Sequence, residues 1–230
     1  MNFKDLFQAL KEAGTEQNRK VYRKHGADGE LFGVSFAVLR DLKKKTNPSG
    51  KKRGQNQSIA DQLWKTGDID ARILATMVAE PHTFSEEKAK AWAEEINYSV
   101  LADSLAEMLT KADLAQQLIE EWTLSEKEYL QRIGFSMLNF IAKNEKGLPD
   151  DFFTPFIEYA EHHLQQSPNR AKEGMNNCLI MIGGRNEVLR DRVLQAAEII
   201  GPVEIDHGET NCQTFVIPEY LERIWKRKKE

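Results

Sequence analysis

The sequence predicts an all-α fold, a superhelical solenoid of stacked helix pairs with a concave polar groove. Three observations predict it. Apolar residues recur at three- and four-residue steps along almost the whole chain, and strand-like alternation is missing. A helical pattern also returns. Leu63-Trp64 leads through a polar turn into Asp70-Ala71-Arg72-Ile73-Leu74-Ala75-Thr76-Met77-Val78, and Glu121-Trp122 leads through another into Tyr129-Leu130-Gln131-Arg132-Ile133-Gly134-Phe135-Ser136-Met137-Leu138. In each copy a tryptophan closes one helix and an arginine stands just before the apolar body of the next. Recurring pairs of this kind bury their apolar faces against their neighbours and build a curved stack. Finally, 40% hydrophobic residues supply a core, while 30% charged residues suit the outer faces of helices.

The elements follow in order. Helices are expected over 2–13 and 15–25, with Gly26 and Gly29 breaking the chain after the second. A third over 35–46 is stopped by Thr46-Asn47-Pro48-Ser49-Gly50, because proline and glycine continue a helix only at a cost. The segment 46–57 then reads as a long basic loop, of the kind that often carries function. Helices over 57–66 and 68–80 form the first copy of the recurring pair. Those over 85–98 and 98–110 follow, and 111–122 with 126–143 form the second copy. Helices over 149–166, 168–183 and 187–200 complete the run. From Gly201 to Val216 the pattern breaks into an extended segment, read as lying over the last helices. Pro218 fits the first turn of a closing helix over 217–228. The Lys226-Arg227-Lys228-Lys229 tail of that helix suits the negative end of its dipole. Residues 1–230 read as a single repeat domain.

Charge narrows the function classes. The net charge is −4, which excludes a uniformly basic binder. Yet Lys43, Lys44, Lys45, Lys51, Lys52 and Arg53 gather without one acid among them, and a local patch of one sign steers a polyanion even on an acidic protein. No apolar run reaches membrane-spanning length. The charged, amphipathic start lacks the apolar core of a signal peptide. Cys178 and Cys212, without metal-like spacing, point to a reducing cytoplasm. Asp206, His207, Glu209 and Cys212 are of ligating types but match no zinc spacing, so that stretch reads as a hydrogen-bonded turn. Neither a metal nor a cofactor is expected.

Helical geometry selects the polar residues that share a face. On 98–109, Asp103 falls opposite Val100, Leu101, Leu105, Met108 and Leu109, with Ser99 one turn before it and Glu107 one turn after. On 129–141, Arg132, Ser136 and Asn139 fall together. On 71–78, Arg72 and Thr76 do so. If the repeats stack in register, Arg72, Asp103 and Arg132 line one groove.

With these residues in place, the chain resembles the AlkD-like DNA alkylation repair glycosylases, which are built of HEAT-like helical repeats. The resemblance rests on Tyr22-Arg23-Lys24-His25, Leu31-Phe32-Gly33-Val34, Leu63-Trp64, Asp103-Ser104 and the Leu130-Gln131-Arg132 that follows Trp122. It runs from about Lys20 to Gly183. The closing Val203–Thr210 stretch looks like a feature of one branch of these proteins. The resemblance implies hydrolysis of the N-glycosidic bond of N3- or N7-alkylated purines in double-stranded DNA, and a solenoid with polar ends is expected to be a monomer. Asp103 aligns with the carboxylate that stabilises charge on the deoxyribose, Arg132 with an arginine on the backbone, and Tyr22 with a tyrosine near the strand. Lys43, Lys44, Lys45, Lys51, Lys52, Arg53, Arg72 and Lys172 are the further expected DNA contacts. Two positions depart from the pattern: Ser99 and Asn176 stand where family members carry lesion-bracketing tryptophans. A non-catalytic DNA binder and a protein-interaction scaffold are the alternative readings.

Overall fold

The computed structural model describes residues 1–46 and 55–229, and among them every regular element is helical. They group into two compact units, Met1–Leu114 with Gly208–Thr210, and Ala115–His207 with Asn211–Glu230. The first unit holds α1 (Phe3–Ala13), α2 (Glu16–Lys24), α3 (Phe36–Thr46), α4 (Gln55–Trp64), α5 (Ile69–Val78), α6 (Glu86–Glu94) and α7 (Ser99–Leu109). The second holds α8 (Ala115–Trp122), α9 (Glu128–Asn144), α10 (Thr154–His163), α11 (Asn169–Gly183), α12 (Glu187–Ile200) and α13 (Ile217–Lys229). No described helix is long and apolar enough to cross a membrane.

Side chains start the helices where orphan amides need an acceptor. Asn2 caps α1 through the Asp5 amide at 3.0 Å, Thr15 caps α2 through Asn18 at 3.2 Å, and Asp68 caps α5 through Ala71 at 2.8 Å. Ser85 and Asn186 do the same for α6 and α12. In the first unit α5 is the central helix, packed by α3, α4 and α7, with Ile73, Leu74 and Ala75 fully enclosed. Trp64 stacks on Trp92 at 4.0 Å between ring centres, and the Phe84 edge closes the cluster at 4.9 Å. In the second unit α9 and α11 form the principal contact, with α8 behind α9 and α12 and α13 behind α11.

The thirteen expected helices are all present in order, with three differences in extent. The helix expected over 111–122 begins only at Ala115, because the amides of Lys111 and Ala112 bond three residues back, to Met108 and Leu109, and close a turn. The one expected over 149–166 is a ten-residue α-helix flanked by 3₁₀ turns at Asp150–Phe152 and Leu164–Gln166. Of the expected basic loop, residues 55–57 belong to α4, whereas Lys51, Lys52 and Arg53 lie outside the described residues. The stretch 201–216 is extended as expected, with a turn at Gly208.

Candidate nucleic-acid interface

The first unit carries a groove of about 640 Å3 at the C-terminal ends of α3, α5 and α7. Phe36, Arg40, Lys43, Lys44 and Thr46 come from α3, and Thr76, Met77 and Val78 from α5. Ser104, Glu107 and Met108 come from α7, with Lys111 just past its end. Four cations therefore border one depression, against the acids Glu80 and Glu107. Arg40, Lys43, Lys44 and Lys111 are all exposed, so they meet a polyanion without first losing their water.

Lys43 and Lys44 were legible as part of the basic run. Arg40 and Lys111 were not singled out. Arg40 stands alone in the sequence but falls one helical turn before Lys43 and Lys44, with its guanidinium 5.8 Å from the Phe36 ring centre. That i, i+3, i+4 spacing is the signal that could have found it. Lys111 becomes a neighbour only through the packing of α7 on α5. Lys45 is exposed but does not border the groove.

Asp103 and Ser99 are half-buried on α7, whose enclosed side is Leu101, Ala102, Leu105, Ala106, Met108 and Leu109. Asp103 stands one turn before the groove-lining Glu107 on the same helix. Tyr98, which precedes Ser99, is 2% exposed and offers no ring to the surface.

Two further expected contacts are spent on the fold itself. The Tyr22 hydroxyl donates to the Val34 carbonyl at 2.5 Å. The neighbouring amides of Phe32, Gly33 and Val34 converge on the fully buried Asp70 carboxylate at 2.8, 2.8 and 2.9 Å. Gly33 has φ +78°, and a Cβ there would stand 2.6 Å from the Thr15 carbonyl oxygen. Two of the motif pieces behind the family resemblance thus form a single structural knot around Asp70. Arg72 likewise is not an open groove residue. It donates to the Trp64 carbonyl at 3.2 Å, lies over the Trp64 ring at 5.1 Å, and pairs with Glu95.

In the second unit Arg132 is expected on the polar face of its helix, lining a groove, and the structure encloses it. It is 5% exposed, with Nη1 at 2.7 Å from Glu173 Oε2 and 3.0 Å from the Arg170 carbonyl oxygen. Arg170 reaches the same carboxylate oxygen at 3.2 Å. Burial raises the Glu173 carboxyl, but the two guanidinium groups outweigh it and hold that carboxyl below its usual range. Asn176 has no exposed surface, and its Nδ2 donates to the Phe215 carbonyl at 2.9 Å. Lys172 is half-buried on the same helix.

The recurrence itself is also read differently in three dimensions. Arg72 reaches back eight residues to the Trp64 carbonyl, and the residue that reaches back eight in the second copy is Gln131, to Thr123 at 3.2 Å. A side-chain bond back over eight residues thus recurs, made by Arg72 in the first copy and by Gln131 in the second. The two arginines look alike in sequence because each precedes an apolar run, and each pairs with a distant acid, but Arg72 also donates to the Trp64 carbonyl of the preceding turn.

Set beside known proteins, this helical arrangement is that of the HEAT-like repeat proteins of DNA repair. The model of the DNA alkylation repair enzyme family matches residues 6–218, and the chain belongs to that family. Two relatives align end to end. An uncharacterised protein of Listeria innocua is 23% identical over 99% of both chains, and one of Listeria monocytogenes is 23% identical over 100% of both. A solved structure superposes with a TM-score of 0.88 at 25% identity, over 99% of this chain and 95% of that one. It is described as a new family of proteins related to the HEAT-like repeat DNA glycosylases, with affinity for branched DNA structures.

Proposed function

We propose that this protein binds DNA through the backbone, along the groove bordered by Arg40, Lys43, Lys44 and Lys111, and recognises duplex or branched shape without excising a base. The observation that carries the reading is the convergence of those four exposed cations, three from α3 and one just past α7, on a single depression. Contacts of this type position a protein on nucleic acid without reading its sequence. The solved relative's affinity for branched DNA supports the same class of ligand. Lesion capture finds less support. A base held for excision is flipped and stacked on aromatic surface, each such platform being worth about 1–3 kcal/mol. Here the two candidate positions hold a half-buried serine, Ser99, and an enclosed amide, Asn176.

A second reading keeps the chemistry: Asp103 stabilises charge on the deoxyribose while an N3- or N7-alkylated purine departs. The half-buried position of Asp103, one turn before the groove-lining Glu107, favours it.

One pair of measurements separates the readings. Fluorescence anisotropy with a labelled duplex and a labelled four-way junction is expected to show binding that weakens with salt. Four phosphate contacts give a slope of about −3.6 in log K against log salt. Methylated DNA incubated with excess protein is expected to release no 7-methylguanine. Release that Asp103→Asn abolishes would establish the second reading. Absence of salt-dependent binding to either DNA would overturn both and leave a protein-interaction scaffold.

A further inference from the structure

One face of α3 carries an aromatic ring and a track of cations in line. Phe36, Arg40, Lys43 and Lys44 are spaced i, i+4, i+7 and i+8, the repeat that keeps side chains on one side of a helix. All four border the first unit's groove. From Phe36 to Lys43 the helix rises about 10 Å. Phe36 is half-buried at the start of this line, and the Arg40 guanidinium lies 5.8 Å from its ring centre, so ring and charge are neighbours. The three cations are exposed. Lys44 also reaches Asp41 at 3.2 Å, an exposed pair of the kind that contributes little.

The other two helices give the groove apolar surface and few base-reading groups. Met77 of α5 is half-buried and Met108 of α7 is 5% exposed. Thr76 and Ser104 add hydroxyls, but each donates within its own helix, to the Ile73 and Val100 carbonyls at 2.8 Å. Neither therefore has a hydrogen to give a base edge. Glu107 and Lys111 stand one turn apart and offset each other in charge, which leaves α3 as the strongly cationic wall. A volume of about 640 Å3 is in the range that encloses small ligands. A ring at the head of a cation track is the combination that holds single-stranded nucleic acid, the base on the ring and the backbone on the charges.

We propose that this groove is a site for an unpaired nucleotide, its base laid on the Phe36 ring and its flanking phosphates on Arg40 and Lys43. The proposal rests on the DNA-binding reading of the groove and adds to it a feature of DNA other than its backbone. In a continuous duplex the bases stack on one another and the ring is idle. At a gap or a branch point a base is already unstacked, so laying it on a ring does not require opening the duplex. The site thereby favours interrupted over continuous DNA, and does so for any base, since every base presents a π face.

The test uses the full chain and two labelled DNAs, a continuous duplex and the same duplex interrupted by a short gap of unpaired thymidines. Wild-type protein is expected to bind the gapped DNA about tenfold more tightly. Phe36→Leu keeps an apolar side chain but removes the ring, and in it the two affinities are expected to become equal. Phe36→Tyr is expected to retain the preference. Lys43→Gln is expected to weaken binding to both DNAs and to leave their ratio as in wild type. On the wild-type protein alone, iododeoxyuridine placed in the gap is expected to photocross-link to Phe36. Salt-dependent binding with equal wild-type affinities for the two DNAs would overturn the base site while leaving the groove reading intact. A preference that persists in Phe36→Leu, or a cross-link that maps only outside the groove, would do the same. Absence of salt-dependent binding to either DNA would overturn the DNA reading itself.

Discussion

Arg132 and Glu173 face each other across the α9–α11 contact at 2.7 Å, both side chains largely withdrawn from water. An arginine in an amphipathic sequence is ordinarily assigned to the surface, and this one is instead the polar centre of a helix interface. Its partner is 41 residues away in the chain.

The pair makes a direct stability prediction. Glu173→Ala removes the carboxylate that pairs with the enclosed Arg132 guanidinium, and breaking a buried pair from one side costs about 3–5 kcal/mol. Urea denaturation is expected to show that loss. Because the Glu173 carboxyl is held below its usual range, its contribution is present above pH 4.5 and is lost as the pH falls through the lowered value. Glu173→Gln should therefore lose less stability than wild type on acidification below pH 4.5.

Asp68 predicts the opposite sign. Its Oδ1 caps α5, its Oδ2 is enclosed without a partner, and burial raises its carboxyl to about 7. The folded protein thus holds this proton more tightly than the unfolded chain does. Its stabilising effect is full at low pH and declines between about pH 4 and 7. Asp68→Asn retains an acceptor for the Ala71 amide, and its melting temperature should fall less than that of wild type between pH 5 and pH 8.

Gly134 predicts a steric effect. A Cβ at this position would stand 2.6 Å from the Thr123 amide nitrogen and 2.8 Å from the Trp122 carbonyl carbon. Both neighbours are backbone, so neither gives way by rotating a side chain. Gly134→Ala should cost about 1–3 kcal/mol through overpacking at the α8–α9 contact, read as a lowered urea midpoint. Ordinary helix propensity would have favoured alanine.

The groove predicts a graded loss of DNA binding. Arg40→Gln and Lys111→Gln should each reduce the salt slope by about 0.9, while stability changes by no more than about 0.5 kcal/mol because both side chains are exposed. Weaker binding with an unchanged slope would place the phosphates elsewhere.

Helices, their order and most of their ends were legible because they depend on local periodicity and caps. Leu63-Trp64 and Glu121-Trp122 do end helices, and the prolines and glycines fall where the chain turns. The basic face of α3 was half legible, through Lys43 and Lys44. Lys111 was not, since nothing within one helix reveals that the end of α7 lies beside the ends of α3 and α5. The resemblance pieces mark the family, but around Tyr22 and Gly33 they preserve a fold contact to Asp70 rather than a surface.

By itself, the sequence determined a helical chain of recurring pairs, its family, and the presence of a local basic run on an acidic background. These follow from spacing and composition, which local physics reads directly. Only the tertiary structure decided which arginines remain available. Arg72 is held by Trp64 and Glu95, and Arg132 by Glu173, because buried cations require a partner and those partners come from other helices. Arg40 stays exposed because the groove leaves it in water. A polar face marks where a side chain points from its own helix; what that side chain meets depends on the helix packed against it.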